Sequence, residues 1–452
     1  MTVPPTPQAA ALASVERGRP RIAFLTYSTG LFDSRTHRMA RSAAEAGYGV
    51  VIYARWEPGL RFREDVDGFA VVRAPADWRF AFPLTRGAAE RRYLARRSGG
   101  SPARGGPPRR GRLSSLLRRL ARAPGISMVA EPIRQLVMFA IRPYGWAVAL
   151  EAVVEPAEVW HGMWAGSLPA LARFLARHGG RTIYDSRDIY LHARSFDRSP
   201  PLVRAAFRWL ERRWARRVDA VITVNDAYAA ILARTLGREI AAVVRNCPPR
   251  YDPPSPPPDL IRRQLGLPAS TAIVLHQGNL QTDRGIEEGM SAILEVPGAV
   301  LVILGFGALH DQLAEATRRE PWADRVFVVD AVPPSQLLDW TASADLLLMA
   351  IQPTSLNHRY TTPNKLWEGL AAGVPVVASD LPGMAEVVRE TGAGVLCEPT
   401  SPSAIAAAIR DILSRSPAER DDLRRRALAA GHDRYNWEVQ ATSLLTLYRT
   451  LA

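Results

Sequence analysis

The sequence predicts an α/β protein of two doubly wound domains facing each other across a central cleft. Three observations predict it. At 452 residues the chain is too long for a single core. Short apolar runs alternate with helix-length amphipathic segments from end to end, the pattern of βαβ units that build parallel sheets. Residues 247–259 (CPPRYDPPSPPPD) hold seven prolines in thirteen positions, so they can neither coil nor pair and read as a semi-rigid connector.

Residues 1–19 lack a basic start followed by a long apolar run and read as a floppy tail. The first domain spans 20–246, with strands expected near Ile22–Tyr27, Val50–Tyr53, Ala70–Arg73, Glu158–Trp160, Thr182–Asp185, Ala220–Val224 and Ala242–Arg245. An Arg-rich insert, 86–125, interrupts it: twelve Arg against the single acidic Glu90 supply +11 of the net +14, so the basicity is local. Its Ser98–Gly111 stretch (SGGSPARGGPPRRG) is low-complexity and reads as disordered. The second domain spans 260–432, with strands at Ile273–Gln277, Val300–Leu304, Val326–Val329, Leu346–Ile351, Pro375–Ala378 and Val395–Cys397. Residues 433–452 are expected to form a last helix that packs back toward the first domain. The most apolar stretch, Ile133 to Val154, is broken by Arg134, Arg142 and Glu151, which excludes a spanning helix there. Cys247 and Cys397 lie 150 residues apart, suggest neither disulfide nor metal spacing, and fit a reducing cytoplasm.

Candidate chemistry gathers at strand ends, where open α/β sheets bind ligands. The first strand ends in Tyr27-Ser28-Thr29-Gly30 before a helix, and Gly30 would let an anion approach that helix N-terminus. No G-x-G-x-x-G follows, so a nicotinamide site has no support. The second domain repeats the device in Gly278-Asn279-Leu280-Gln281-Thr282-Asp283-Arg284-Gly285, where Arg284 could clamp a diphosphate through two parallel charge-assisted bonds. Gly305-Phe306-Gly307 supplies another open loop after the next strand. The alternative reading of all these glycines is turn geometry alone.

Of 58 basic residues only Lys365 is Lys. Thr362 and Pro363 read as helix cap and first helical residue, which makes Asn364 second and Lys365 third. A cation in a first turn opposes the helix dipole by about 0.3–1 kcal/mol unless an anion is bound there. Glu368 lies one turn on, on the same face. The competing reading is a surface Lys–Glu pair. Asp65-Val66-Asp67 imitates a metal-holding Asp-x-Asp, but polar Arg61–Glu64 and Gly68 flank it, so it reads as a hairpin turn; no metal site is expected.

The run Pro363-Asn364-Lys365-Leu366-Trp367-Glu368-Gly369, then Ala372-Gly373-Val374-Pro375-Val376-Val377-Ala378, resembles the nucleotide-sugar motif of glycosyltransferase family 4. Gly278…Arg284-Gly285, Asp185-Ser186-Arg187-Asp188 and the end helix with Trp437 and Tyr448 fit that family's layout. The resemblance implies the GT-B fold of two Rossmann-like domains. It further implies a donor bound by the second domain through Gly278, Asn279, Gly285, Gly305, Gly307, Asn364 and Glu368, the last on the donor ribose. Arg284 and Lys365 would be the diphosphate cations, and His161 would fall near the reacting sugar, although a lone His is as readily structural. The first glutamate of the family's Glu-seven-residues-Glu pattern falls on Tyr360, Asn279 stands where many members have Arg, and Arg187 where relatives often have His.

The expectation is a retaining, metal-independent glycosyltransferase with no cofactor beyond its nucleoside-diphosphate sugar donor. It would be cytoplasmic and act on an acceptor that the sequence leaves unidentified. Two rivals remain open: another enzyme on the same scaffold, such as a sugar-nucleotide epimerase or a pseudo-glycosyl coupling enzyme, and a nucleic-acid-binding protein. The second is disfavoured because the insert has one aromatic, Tyr93, and no interleaved stacking residues. Met128, Val129, Ile133, Leu136, Val137 and Ala140 recur at helical spacing after the insert, so 86–146 reads either as a peripheral contact with an anionic membrane, presenting a lipid-linked acceptor, or as a solvated loop and a packed helix.

Overall fold

The computed structural model describes residues 19–31, 33–66, 68–98, 134, 136–192 and 199–452. The tail, most of the insert and the stripe residues Met128, Val129 and Ile133 lie outside them.

Both expected sheets are present. The first holds β1 (Arg21–Thr26), β2 (Gly49–Trp56), β3 (Arg63–Val66), β4 (Phe69–Pro75), β5 (Val159–Met163), β6 (Arg181–Ser186), β7 (Ala220–Thr223) and β8 (Ala242–Val243), in the order β3-β4-β2-β1-β5-β6-β7-β8. Every pairing is parallel except β3 with β4. The second sheet is wholly parallel and orders β9 (Ala272–Asn279), β10 (Ala299–Phe306), β11 (Val326–Asp330), β12 (Leu346–Met349), β13 (Val376–Ser379) and β14 (Gly394–Cys397) as β11-β10-β9-β12-β13-β14. Strand order therefore reverses between β1 and β5 and again between β9 and β12, the points where such sheets open a crevice beyond their carboxyl ends.

β3 is the one strand the sequence reading misses. It is a polar, solvent-facing edge that pairs antiparallel with β4, and Asp65 is exposed on it. The hairpin reading of this segment holds, with Gly68 at φ 85° in the turn.

Helices cover both faces of the first sheet. On one lie α1 (Ser34–Glu45) and the final helix, whose Trp437, Leu444 and Tyr448 enter the same apolar cluster as Ile22, Phe24, Ile52 and Val159. Burying a side chain such as Leu444 contributes about 1.5–3 kcal/mol. On the other face α2 (Pro83–Ser98), α3 (Arg142–Leu150) and α4 (Leu168–His178) bury Tyr93, Trp146 and Phe174 against Trp160 and Tyr184. Trp146, at the end of the 86–146 stretch, lies in this core and donates Nε1–H to the carbonyl of Ala54 at 3.1 Å, while Leu136 of the expected stripe is 48% exposed.

The connector is fixed rather than loose. Cys247 is buried in the second domain's core, its carbonyl accepts from Arg38, and Tyr251 donates its hydroxyl to Asp339.

Candidate functional site

The carboxyl ends of β9 and β12 and the start of one helix meet at the cleft. That helix, α5, covers Asn364–Ala371, and the short helix Leu356–Arg359 precedes it. Pro363 has φ −68° and ψ 151°, an extended conformation, so it caps the helix instead of starting it. Asn364 is consequently first and Lys365 second, one place earlier than the sequence reading put them. Thr362 does not cap. Its hydroxyl accepts from the side chain of Asn225 at 3.1 Å, across the domain junction.

Lys365 is buried, and its Nζ lies 3.2 Å from Nε2 of His276 on β9. Burial, and behind it the Arg284 guanidinium, push the Lys365 ammonium down to about 7 despite Glu368. The same burial, with Lys365 and Arg284, drives the His276 imidazole well below its ordinary value, so it stands neutral. Among the described residues Lys365 forms no ion pair, and Arg284 forms neither a hydrogen bond nor an ion pair. Burial opposes the charge on Arg284 as well, while Asp188 and Tyr228 of the first domain support it.

Glu368 accepts from Gln277 Nε2 at 2.7 Å, and burial raises its carboxyl against the pull of Gln277, Arg38 and Lys365. The structure thus brings Arg284, Lys365 and Glu368 together as expected. It adds His276, Gln277 and Arg38, which the sequence reading passed over because a His and a Gln inside an apolar strand read as core.

The glycines differ in purpose. Gly285 has φ 71° and leads directly into helix Ile286–Ile293, and a Cβ there would meet the carbonyl oxygen of Ala350 at 2.0 Å. At Gly305 a Cβ would strike the carbonyl of Gly278 at 1.9 Å, so the ends of β9 and β10 can approach only without one. Gly278 and Gly307 also have positive φ, and between them Asn279 is exposed beside Phe306, which is 58% exposed. Asn364 accepts from Asn246 at 2.9 Å, another contact between the domains.

In the first domain Gly30 has φ 76°, its N–H donates to Ser28 Oγ at 3.2 Å, and its carbonyl is bonded by His37. Asp33 caps α1 through the N–H of Thr36. Burial resists its charge, but the Arg187 guanidinium, bonded to both its oxygens at 2.7 and 3.0 Å, holds it well below the usual carboxylate range. Arg187 is thereby committed to Asp33. Deeper, Arg35 donates to both oxygens of Asp185 at 2.8 and 3.1 Å and to the carbonyl of Val244 at 2.6 Å.

His161 lies inside β5, not just after the strand. It is wholly buried, stacked on Phe24, and bonded through Nδ1 to Tyr448 of the final helix at 2.7 Å. Burial pushes it down to about 3. Its surroundings are a packed core and a domain-to-helix tie rather than the loops at the cleft.

Tyr360, in place of the family's first glutamate, serves the domain junction. Its carbonyl accepts from Asn225 at 3.0 Å. Asn357 extends the same junction, receiving the hydroxyl of Tyr228 on its carbonyl at 2.8 Å and donating to Asp188 at 2.9 Å.

Residues 271–415 match the family model described as Glycosyl transferases group 1. A D-inositol 3-phosphate glycosyltransferase from Xylanimonas cellulosilytica is 28% identical over 248 residues, 51% of this chain and 56% of that protein. A glycogen synthase from Mycobacterium tuberculosis is 27% identical over 255 residues, 54% and 56% of the two chains. The chain therefore spans little more than half the length of these curated relatives. Among solved structures, sucrose-phosphate synthase from Thermosynechococcus elongatus superposes with a TM-score of 0.70 at 19% identity, covering 96% of this chain and 99% of that one. Anabaena HepE in complex with UDP-glucose superposes at 0.61 and 16% identity, covering 96% and 100%. The second domain of this chain is a glycosyl transferases group 1 domain, set in a two-domain fold of the GT-B type.

Proposed function

We propose that this chain transfers a glycosyl group from a nucleoside-diphosphate sugar to an acceptor hydroxyl presented by the first domain. The observation that carries the reading is the pair Lys365 and Arg284, two basic groups in a desolvated setting, neither of which forms an ion pair among the described residues. A diphosphate at the start of α5 would neutralise both and reverse the cost of a cation near a helix N-terminus. In this reading Glu368 takes the ribose hydroxyls and the exposed Phe306 ring stacks on the base, supported by the burial of the first and the exposure of the second. The solved relative whose structure holds UDP-glucose supports a donor of this class.

In the reaction the bond from the anomeric carbon to the diphosphate oxygen breaks and one to the acceptor oxygen forms, the acceptor proton leaving with the diphosphate. Lys365 and Arg284 stabilise the departing charge. With no carboxylate singled out as a nucleophile, displacement from the leaving-group face and retention follow as part of the proposal, as does independence from a metal. Incubation with UDP-, GDP-, ADP- and TDP-sugars and a panel of acceptors, followed by product analysis, tests it. Glycosylated product is expected, at a rate that survives excess EDTA. An epimerised sugar nucleotide formed without acceptor would instead assign the scaffold to an epimerase, and complete, reversible inhibition by EDTA would overturn the metal-free part.

The proposal places the enzyme in the cytoplasm and on the membrane surface, with a lipid-linked acceptor. No described helix is long and apolar enough to cross a membrane. The support is local: twelve Arg in 86–125, and Leu84 fully exposed at the start of α2. Each basic residue near an anionic leaflet contributes about 1 kcal/mol. At low salt the intact chain is expected to float with anionic liposomes and a chain lacking residues 98–122 to remain behind. Equal behaviour of the two would remove the insert from this role.

A further inference from the structure

The buried cation at the start of α5 does not rest on a carboxylate. Lys365 Nζ meets an imidazole nitrogen 3.2 Å away, while Glu368, the nearest acid on its own helix, is held by Gln277 from β9 and faced by Arg38 from α1. A hydrogen bond from an ammonium needs an acceptor, so His276 Nε2 must carry a lone pair and the ring must be neutral. A neutral acceptor fixes the direction of the ammonium without cancelling its charge, which a carboxylate in the same place would do.

We infer that His276 is the positioning residue that aims the Lys365 ammonium at the donor diphosphate, and that binding the diphosphate draws a proton onto Lys365. This rests on the donor reading given above. Among the described residues two charged groups act on Lys365: Arg284 from the loop after β9 repels its proton and Glu368 only partly retains it, while burial disfavours it most. In the free protein the ammonium therefore loses its proton as pH rises through about 7. A bound dianion raises that midpoint, so between the two midpoints each binding event takes up a proton. Affinity is highest below pH 7 and falls as pH rises, by up to about tenfold per pH unit for one linked proton. A sugar nucleotide suits the measurement, because its diphosphate is diesterified and holds a constant charge across this range.

Calorimetric titration of the full chain with UDP-glucose, GDP-mannose and ADP-glucose, in buffers of different ionisation enthalpy at pH 6 and pH 8, reads proton uptake directly. The nucleotide that binds tightest is carried forward. Wild type is expected to take up close to one proton per nucleotide at pH 8 and far less at pH 6. Lys365→Arg, whose guanidinium keeps its charge, is expected to take up none. His276→Phe should weaken binding at least tenfold at pH 8 and move the loss of affinity to lower pH. His276→Gln, which offers an acceptor oxygen, should recover most of it. Failure of all three nucleotides to bind wild type would remove the donor reading and this inference together. Binding with equal proton uptake by wild type and Lys365→Arg, or a His276→Phe variant with the wild-type pH profile, would overturn the inference and leave the donor reading standing. If His276→Phe does not fold, the comparison of wild type with Lys365→Arg and His276→Gln still decides.

Discussion

Lys365→Ala is expected to lower kcat with the preferred sugar nucleotide by at least about 100-fold, or about 2.7 kcal/mol, the scale of losing one preorganised group that stabilises leaving charge. The same substitution should leave the melting temperature unchanged or raise it. Among the described residues Lys365 forms no ion pair, it sits in a desolvated place, and Arg284 repels it, so its removal relieves the folded state. A structural lysine would show the opposite pattern, with stability lost and turnover spared. Steady-state kinetics alongside a thermal melt separates the two. Retention of more than about half the wild-type kcat/KM, a change below ~0.5 kcal/mol, would remove Lys365 from the diphosphate.

The second large effect is on stability and belongs to Asp185. Its carboxylate is wholly buried and accepts both bonds from Arg35, which is itself 2% exposed and tied to Val244 beyond β8. Asp185→Ala strands the guanidinium in the core, at a cost of about 3–5 kcal/mol. Replacing both partners, Arg35→Met with Asp185→Leu, removes the stranded charge and should recover most of that loss. Chemical denaturation of wild type, Arg35→Met, Asp185→Leu and the double variant completes the double-mutant cycle that measures it, with Asp185→Ala run beside them. Equal destabilisation by the single and double variants would show that packing, rather than the unpaired charge, sets the cost.

The parallel strands were legible because most are short apolar runs buried on both faces, and length with flanking glycines separates such a run from a helix. β3 was not, because Arg63-Glu64-Asp65 carries no apolar signal and gains its structure from pairing with β4. Lys365 stood out through composition alone, since one lysine among 57 arginines marks itself. Its partner could not be read the same way. His276 lies 89 positions earlier, inside a strand whose neighbours Val274 and Leu275 are core, and only the fold of β9 against α5 brings the two together. The helix start was misplaced by one residue because proline usually opens a helix, whereas Pro363 is held extended while Thr362 serves the other domain. His161, which the resemblance puts near the reacting sugar and which reads as readily structural, stacks on Phe24 and bonds Tyr448.

The final helix has a consequence for how the chain is made. Trp437, Leu444 and Tyr448 close one face of a sheet whose first strand begins at Arg21, and Trp437 bonds Ser42 from the far end of the sequence. During synthesis the first domain emerges early with α1 over part of that face, yet the rest of it stays uncovered until residues 437–451 leave the ribosome. The second domain, whose sheet is complete at Cys397, can close before the first one does. Order of translation and order of completion are therefore opposed, and the nascent first domain spends the elongation of its partner with the part of that face that the final helix later covers, Phe24 included, open to water and to chaperones.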